Sequence, residues 1–263
     1  MTDDTPLLSI RDLVIEIRGR CLVDVAELSV ARGQIVGLVG ESGAGKSLLL
    51  SSILGLLPAD ATVSGSIVFD GLELRGAPGR VLRSVRGRRI AVVLQAARSA
   101  LTPTLRTGTW IERALVLHHV PAPERRTRIA HALDAVRLDP ALLRRYPHEL
   151  SGGEAQRVAI ALAVALHAEL ILADEATSAL DVTVQAEVAE LLRELRETEG
   201  TAVLLVSHDL ALVGGLADRI DIIADGSIVE RGGPAVLTDP RERVTRELVA
   251  ANPTLGRSPE TRE

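Results

Sequence analysis

The segment Gly40-Glu41-Ser42-Gly43-Ala44-Gly45-Lys46-Ser47 fits the phosphate-binding pattern GxxxxGK[ST] at every position. Its glycines let backbone N–H groups converge on nucleotide β- and γ-phosphates, and a helix that begins at the end of the loop adds its positive pole. Lys46 supplies a compact ammonium and Ser47 a hydroxyl suited to Mg2+. Lys46 is also the only lysine among 263 residues, every other cationic side chain being arginine. Lysine and arginine exchange freely on a solvated surface, but a planar guanidinium is too wide to reach between phosphates. A lysine placed at random would fall here about once in 263 times.

A second element is Leu170-Ile171-Leu172-Ala173-Asp174-Glu175, an apolar strand that ends in two carboxylates. Asp174 can hold Mg2+, directly or through water, and Glu175 can polarise an attacking water. Alone, such a strand end is weak evidence; behind a phosphate loop it is strong. A third is Leu150-Ser151-Gly152-Gly153-Glu154-Ala155-Gln156. Here Ser151 reads as an N-cap and Glu154 as its capping-box partner, with two glycines keeping the helix start open. An ordinary cap explains the serine and the glutamate, but not their place between a phosphate loop and a carboxylate-ended strand.

The elements that must position these residues follow from periodicity. Leu8 to Ile17 and Leu22 to Val30 alternate apolar and polar around Arg18-Gly19-Arg20, which predicts an antiparallel hairpin. Gln34 to Val39 reads as a short apolar strand running into the phosphate loop, and Ser47 to Leu57 as a helix stopped by Pro58. Ile90 to Leu94, Leu170 to Ala173 and Ala202 to Val206 are continuous apolar runs, and Ile220 to Ile223 is apolar but for Asp221, as in a parallel sheet covered on both faces. Between Arg98 and Leu150 the chain reads as helices punctuated by Pro103, Pro121, Pro123, Pro140 and Pro147. A short strand, Ser227 to Glu230, and a helical tail close it, and the last dozen residues should be loose.

Composition narrows the class. Hydrophobic residues make up 46% of the chain, enough for a sizeable core. No run of uncharged apolar residues is long enough for a membrane-spanning helix. The start Met1-Thr2-Asp3-Asp4 lacks the basic and apolar regions of a signal peptide, and the single Cys21 cannot form an internal disulfide, so the chain reads as cytoplasmic. A net charge of -5 argues against a general nucleic-acid binder. Arg75, Arg80, Arg83, Arg86, Arg88 and Arg89 nonetheless make one basic stretch, which could be a solvated face or could meet anionic lipid headgroups or a partner's acidic loop.

Taken together, the motifs resemble those of the nucleotide-binding subunits of ATP-binding cassette (ABC) transporters, and Ser151 to Gln156 matches that family's signature. The resemblance implies three further sites. Gln95 matches the glutamine loop that contacts Mg2+ and senses the membrane subunits. Ser178-Ala179-Leu180-Asp181 matches the loop that crosses to the partner subunit, and His208 matches the switch histidine at the γ-phosphate. Under this resemblance Lys46, Glu175 and His208 are the catalytic set. Nucleotide is held by Gly40 through Ser47 with Leu48, Gln95, Ser151, Gly152, Gly153 and Asp181. Mg2+ is held by Ser47, Gln95 and Asp174. The implied fold is an α/β P-loop domain of the ABC type, with an N-terminal antiparallel β subdomain, a parallel core sheet and a helical insert. One domain is expected over 1–263, with its core at about 7–97 and 151–236, the helical subdomain at about 98–150 and a tail at about 237–263.

Within the family, Tyr146 to Gly153, Ala179 to Ala186 and Val244 to Leu248 are most similar to importers of peptides, nickel and opine-type metal chelates. The resemblance implies an ATP-hydrolysing subunit, peripheral on the cytoplasmic face of the membrane. Its implied partners are a second, non-identical nucleotide-binding subunit, two permeases and an extracytoplasmic solute-binding protein. The rival reading is a non-transport ABC-type ATPase in a soluble complex, such as a phosphonate-degradation assembly. Three departures stand out. Ala176 replaces the proline usual after the glutamate, and Ala96-Ala97 replaces the polar pair after the loop glutamine. No aromatic lies near the first hairpin, where the family stacks adenine.

Overall fold

The structure, a computed structural model, describes residues 5–176 and 181–252. They fall into two compact units, one of residues 5–78 and 204–252 and the other of residues 79–176 and 181–203.

The first unit begins with β1 (Leu8–Ile17), β2 (Arg20–Val30), β3 (Ile35–Val39), α1 (Lys46–Ile53), β4 (Ala61–Phe69) and β5 (Leu72–Glu73). The predicted hairpin is present: β1 pairs antiparallel with β2 from Leu8↔Val30 to Ile17↔Arg20. β4, which has no counterpart in the sequence reading, pairs with the other edge of β1, and β5 pairs with β4 to complete a four-stranded antiparallel sheet. The buried residues of β1 are Leu8, Ile10, Leu13 and Ile15, so the period-two pattern skips once. A bulge restores the phase. The register with β4 shifts between Arg11 and Val14, Asp12 takes φ 48°, and Gly65 lies opposite it, where a Cβ would come within 2.2 Å of the Asp12 carbonyl oxygen.

The second unit holds α2 (Gly79–Val85), β6 (Ile90–Leu94), α3 (Ala97–Ala100), α4 (Thr107–Leu117), α5 (Ala122–Ala135), α6 (Gly152–Ala165), β7 (Leu170–Asp174) and α7 (Val182–Glu199). β6 and β7 form a parallel pair from Ile90↔Leu170 to Leu94↔Asp174. The expected helical stretch is there, and its prolines mark starts: Pro123 lies in the first turn of α5, while Pro140 and Pro147 open 3-10 turns. α6 carries small buried residues, Ala155, Ala161 and Ala165 among them, on several faces, as a helix packed on more than one side requires.

The chain then returns to the first unit through β8 (Ala202–Val206), α8 (Leu210–Leu216), β9 (Arg219–Ala224), β10 (Ser227–Gly232) and α9 (Arg243–Ala250). There the strand order is β10-β9-β3-β8. β3 runs parallel to β9, as the apolar runs suggested, and the short strand β10 runs antiparallel to β9 at the edge. All five residues of both β3 and β8 are buried, which accounts for their uninterrupted apolar character. A fully buried carboxylate, Asp221, binds this unit internally. Its Oδ1 accepts from Arg219 Nε at 3.0 Å and from Arg231 Nε at 2.9 Å. The same arginines donate to the carbonyls of Ser29 and Glu27 on β2.

Candidate functional site

In the first unit the buried strand β3 delivers the chain to Gly40, where any side chain is excluded: a Cβ would lie 2.1 Å from the Ile223 carbonyl oxygen. Gly43 and Gly45 take φ 85° and 98°, backbone that favours glycine, and Gly45 is the N-cap of α1. A Cβ on Gly45 would meet the Leu22 carbonyl and Val23 Cγ2, each at 3.0 Å, so β2 backs the loop. Glu41, Ser42, Gly43 and Ser47 are exposed, Leu48 is partly so and Ala44 is buried. Lys46 is only 7% exposed, and its Nζ donates to the carbonyls of Gly40 and Glu41, each at 2.7 Å. An ammonium fixed inside a ring of backbone at the start of a helix is an anion site.

The helix itself differs from the expectation. It starts at Lys46 and ends at Ile53, not Leu57. The cause is Gly55, at φ 59°: its N–H donates to the Ser52 carbonyl and the Leu56 N–H to the Ser51 carbonyl, the two bonds of a Schellman stop. The helix is therefore closed before Pro58 is reached.

At the end of β8, Ser207 is buried, and its hydroxyl accepts from the Asp209 N–H at 3.0 Å. Asp209 caps α8 by accepting from the Leu212 N–H. Two local bonds thus hold the turn that presents His208, whose side chain is exposed.

In the second unit the register Leu94↔Asp174 brings Gln95 and Glu175 out of the parallel pair at one level. Asp174 and Glu175 are partly buried, and Glu175 adopts φ 47°, unusual for a side-chain-bearing residue. The signature segment forms the predicted capping box. The Glu154 N–H donates to Ser151 Oγ at 3.1 Å, and the Ser151 N–H donates to Glu154 Oε2 at 2.6 Å. Ser151 and Gly152 remain exposed while Gly153 is buried. Asp181 is the N-cap of α7, its Oδ1 accepting from the Val184 N–H at 3.0 Å. The rest of its motif, Ser178-Ala179-Leu180, lies outside the described residues.

The phosphate loop and His208 thus belong to one unit, and Gln95, the carboxylates and the signature segment to the other. The residues that back the phosphate loop, Leu22, Val23 and Ile223, carry no chemistry, so no motif singles them out. Gly226 belongs with them, since a Cβ there would lie 2.6 Å from the Leu22 carbonyl oxygen. Its signal was the Asp225-Gly226 turn pair. Among the described residues no cluster of His, Cys, Asp and Glu could hold a metal by itself, and no helix is long and apolar enough to cross a membrane.

Residues 23–178 match the family model described as "ABC transporter". The chain is 42% identical over 262 residues to a peptidoglycan transport ATP-binding protein of Agrobacterium fabrum, covering 96% of this chain and 48% of that protein. It is 37% identical over 233 residues to an oligopeptide transport ATP-binding protein of Lactococcus lactis, covering 87% and 69%. The chain therefore spans about half the length of the first relative and just over two thirds of the second. Among solved structures, a dimeric ATP-binding cassette in a post-hydrolysis state bound to ADP and phosphate matches with TM-score 0.75 and 28% identity, covering 86% of this chain and 98% of that one. A cassette from Clostridium perfringens matches in fold with TM-score 0.80, at 24% identity and with 96% and 98% covered.

Proposed function

This chain belongs to the ABC transporter family, and on that premise we propose that it is the ATP-hydrolysing subunit of an importer, powering uptake of a small solute through separate permeases. The observation that carries the reading is the buried Lys46 ammonium inside a loop where Gly40 leaves no room for a side chain and Gly43 and Gly45 take left-handed backbone. Peptides are favoured over nickel or metal chelates as the cargo, because the relatives are named for peptidoglycan and oligopeptide transport.

Each residue has a distinct task in this reading. The N–H groups from Gly43 to Leu48 and the Lys46 ammonium bind the β- and γ-phosphates and neutralise charge that builds on the transferring phosphoryl. Glu175 accepts hydrogen bonds from the attacking water and aligns it, and His208 donates to the γ-phosphate. Ser47, Gln95 and Asp174 offer hydroxyl, amide and carboxylate oxygens, the hard donors that suit Mg2+, which when bound adds positive charge to the phosphates. Ser151, Gly152 and Gly153, with the start of α6, complete the nucleotide site of a second subunit, and Asp181 belongs to the loop that crosses to it. The dimeric state of the related cassette supports this pairing. The proposed assembly is a non-identical second cassette, two permeases and a solute-binding protein, with this chain peripheral on the cytoplasmic face.

Phosphate release from ATP by the purified chain, alone and with its co-expressed permeases, tests the reading. Turnover that rises with permeases and solute-binding protein is expected. Failure to bind ATP with Mg2+ present would overturn it.

A further inference from the structure

Gln156 ends the signature segment and has no part in the tasks assigned above. It lies in the second turn of α6, only 1% exposed, and among the described residues its Nε2 has no hydrogen-bond partner. Buried side-chain amides are almost always paired, because an unmet donor keeps the full cost of losing water. An unpaired one calls for an acceptor that another state of the molecule brings to it.

The topology says where that acceptor lies. β6 and β7 are parallel neighbours, so the chain between them must return from their C-terminal ends to their N-terminal ends, and α6 makes the last leg of that return. The start of α6 is tied to the C-terminal end directly, since the Arg98 guanidinium, just beyond Gln95, donates to the Leu150 carbonyl. Counted back from Ala165, Gln156 lies about 13 Å along the helix at about 1.5 Å per residue. Asp174 lies about 13 Å along β7 from Leu170 at about 3.3 Å per residue. The amide is thus level with Asp174, and Glu175 is the next residue.

Glu175 is itself under strain. Its φ of 47° is a left-handed conformation that costs free energy for a residue with a side chain. Leaving that conformation rotates the peptides beside Glu175 and re-aims their carbonyl oxygens. An unmet donor and a strained peptide at one level are two costs that one rotation removes together.

We propose that Gln156 is a positioning residue for Glu175: when the site closes over ATP, the Asp174–Ala176 turn relaxes at Glu175, and one of its main-chain carbonyls accepts from Gln156 Nε2. The bond fixes the backbone that carries the Glu175 carboxylate, so it sets the alignment of the attacking water without touching it. It also joins α6, whose first residues serve a second subunit's nucleotide in the proposed assembly, to this chain's own water-aligning residue. The inference rests on the reading of Glu175 given under the proposed function.

The test compares the parent chain with Gln156→Met, which matches glutamine in length but cannot donate, and with Gln156→Leu, each co-expressed with the permeases. Without nucleotide, methionine removes an unmet donor, so the melting temperature should stay level or rise. ATP affinity by titration should also hold. The kcat should fall about tenfold or more, with KM within about twofold of the parent. Leucine should lose turnover to the same extent, which separates loss of the donor from any effect of the methionine sulfur; where one variant does not fold, the other decides. A kcat at the parent's level in either folded variant overturns the proposal. So does a lower melting temperature in both, which would mean that the amide is already paired without nucleotide, through a buried water. A parent chain that binds no ATP defeats the proposed function instead, whereas a parent that hydrolyses ATP while the variants match it defeats this inference alone.

Discussion

Gly153 lies so close to Val184 that a Cβ on the glycine would come within 2.6 Å of the valine Cγ1. This places the second glycine of the signature segment under the first turn of α7. Valine on a helix is confined to essentially one χ1 rotamer, so it cannot swing away. Gly153→Ala should therefore cost about 1–3 kcal/mol through overpacking. Val184→Ala should restore most of it. Thermal melting of the two single variants and the double variant checks this; an unchanged melting temperature for Gly153→Ala alone would show that α7 can shift.

Lys46 and Glu175 should fail differently. Lys46→Ala removes a charge that meets ground-state phosphates and should weaken ATP binding about a hundredfold. Glu175→Gln keeps the shape of the side chain and removes the charge that aligns water, so ATP should still bind while turnover drops at least about a hundredfold. Its ATP-bound form should accumulate as a dimer, seen by size-exclusion chromatography with ATP and Mg2+. Brisk turnover by Glu175→Gln would remove the glutamate from its assigned role.

What could be read from the chain depended on the range of the cause. The Ser151–Glu154 capping box was legible because both partners lie within one helical turn. The need for glycine at 153 was not, because Val184 reaches it only through packing of α6 against α7. Strands β3, β7 and β8 announced themselves as apolar runs, since continuous burial leaves hardly a polar position; β6 reads the same way although Val92 and Leu94 are exposed, and β9 although Asp221 is buried within it. β4 stayed hidden: Ala61–Phe69 mixes Thr62, Ser64, Gly65 and Ser66 among its apolar residues, and Gly65 answers a bulge in β1. The left-handed backbone of Glu175 leaves no mark in sequence at all, because glutamate has no preference for it.

Glu73 is the latch of the hidden strands. Its carboxylate accepts from Ser66 Oγ at 2.5 Å and from the N–H groups of Ile67 and Arg75, each at 2.9 Å. Partial burial opposes ionisation, but these hydrogen bonds more than offset it and hold the pKa below the usual carboxylate range. A carboxylate whose pKa is lowered by folding adds stability above its ordinary pKa, and this is lost as pH falls through the lowered value. Glu73→Gln should thus cost up to about 1 kcal/mol at neutral pH, modest because the group is exposed. The gap in melting temperature should close in acid. A gap that persists at low pH would assign the effect to shape instead of charge.

The final prediction concerns the base of the nucleotide. The family resemblance puts the adenine-stacking position near Ile17, at the end of β1, and Leu22 and Val23 of the paired strand β2 back Gly45 of the phosphate loop. The chain's aromatics are Phe69, Trp110 and Tyr146, none of them in this hairpin. Stacking on an aromatic is worth roughly 1–3 kcal/mol, so Ile17 should leave ATP binding about tenfold or more weaker than a ring would. Arg18 could lay its guanidinium on the base, but its Nε donates to Asp60 Oδ2 at 3.0 Å. That exposed pair is worth at most about 1 kcal/mol, so Asp60→Asn should release Arg18 and tighten binding severalfold. With phosphate contacts dominant, ATP and GTP should bind within about tenfold of each other. Calorimetric titration of Glu175→Gln with each nucleotide, alone and combined with Ile17→Tyr or with Asp60→Asn, reads all three effects. A strong preference for ATP without the added tyrosine, or no gain from it, would mean that residues outside this hairpin hold the base.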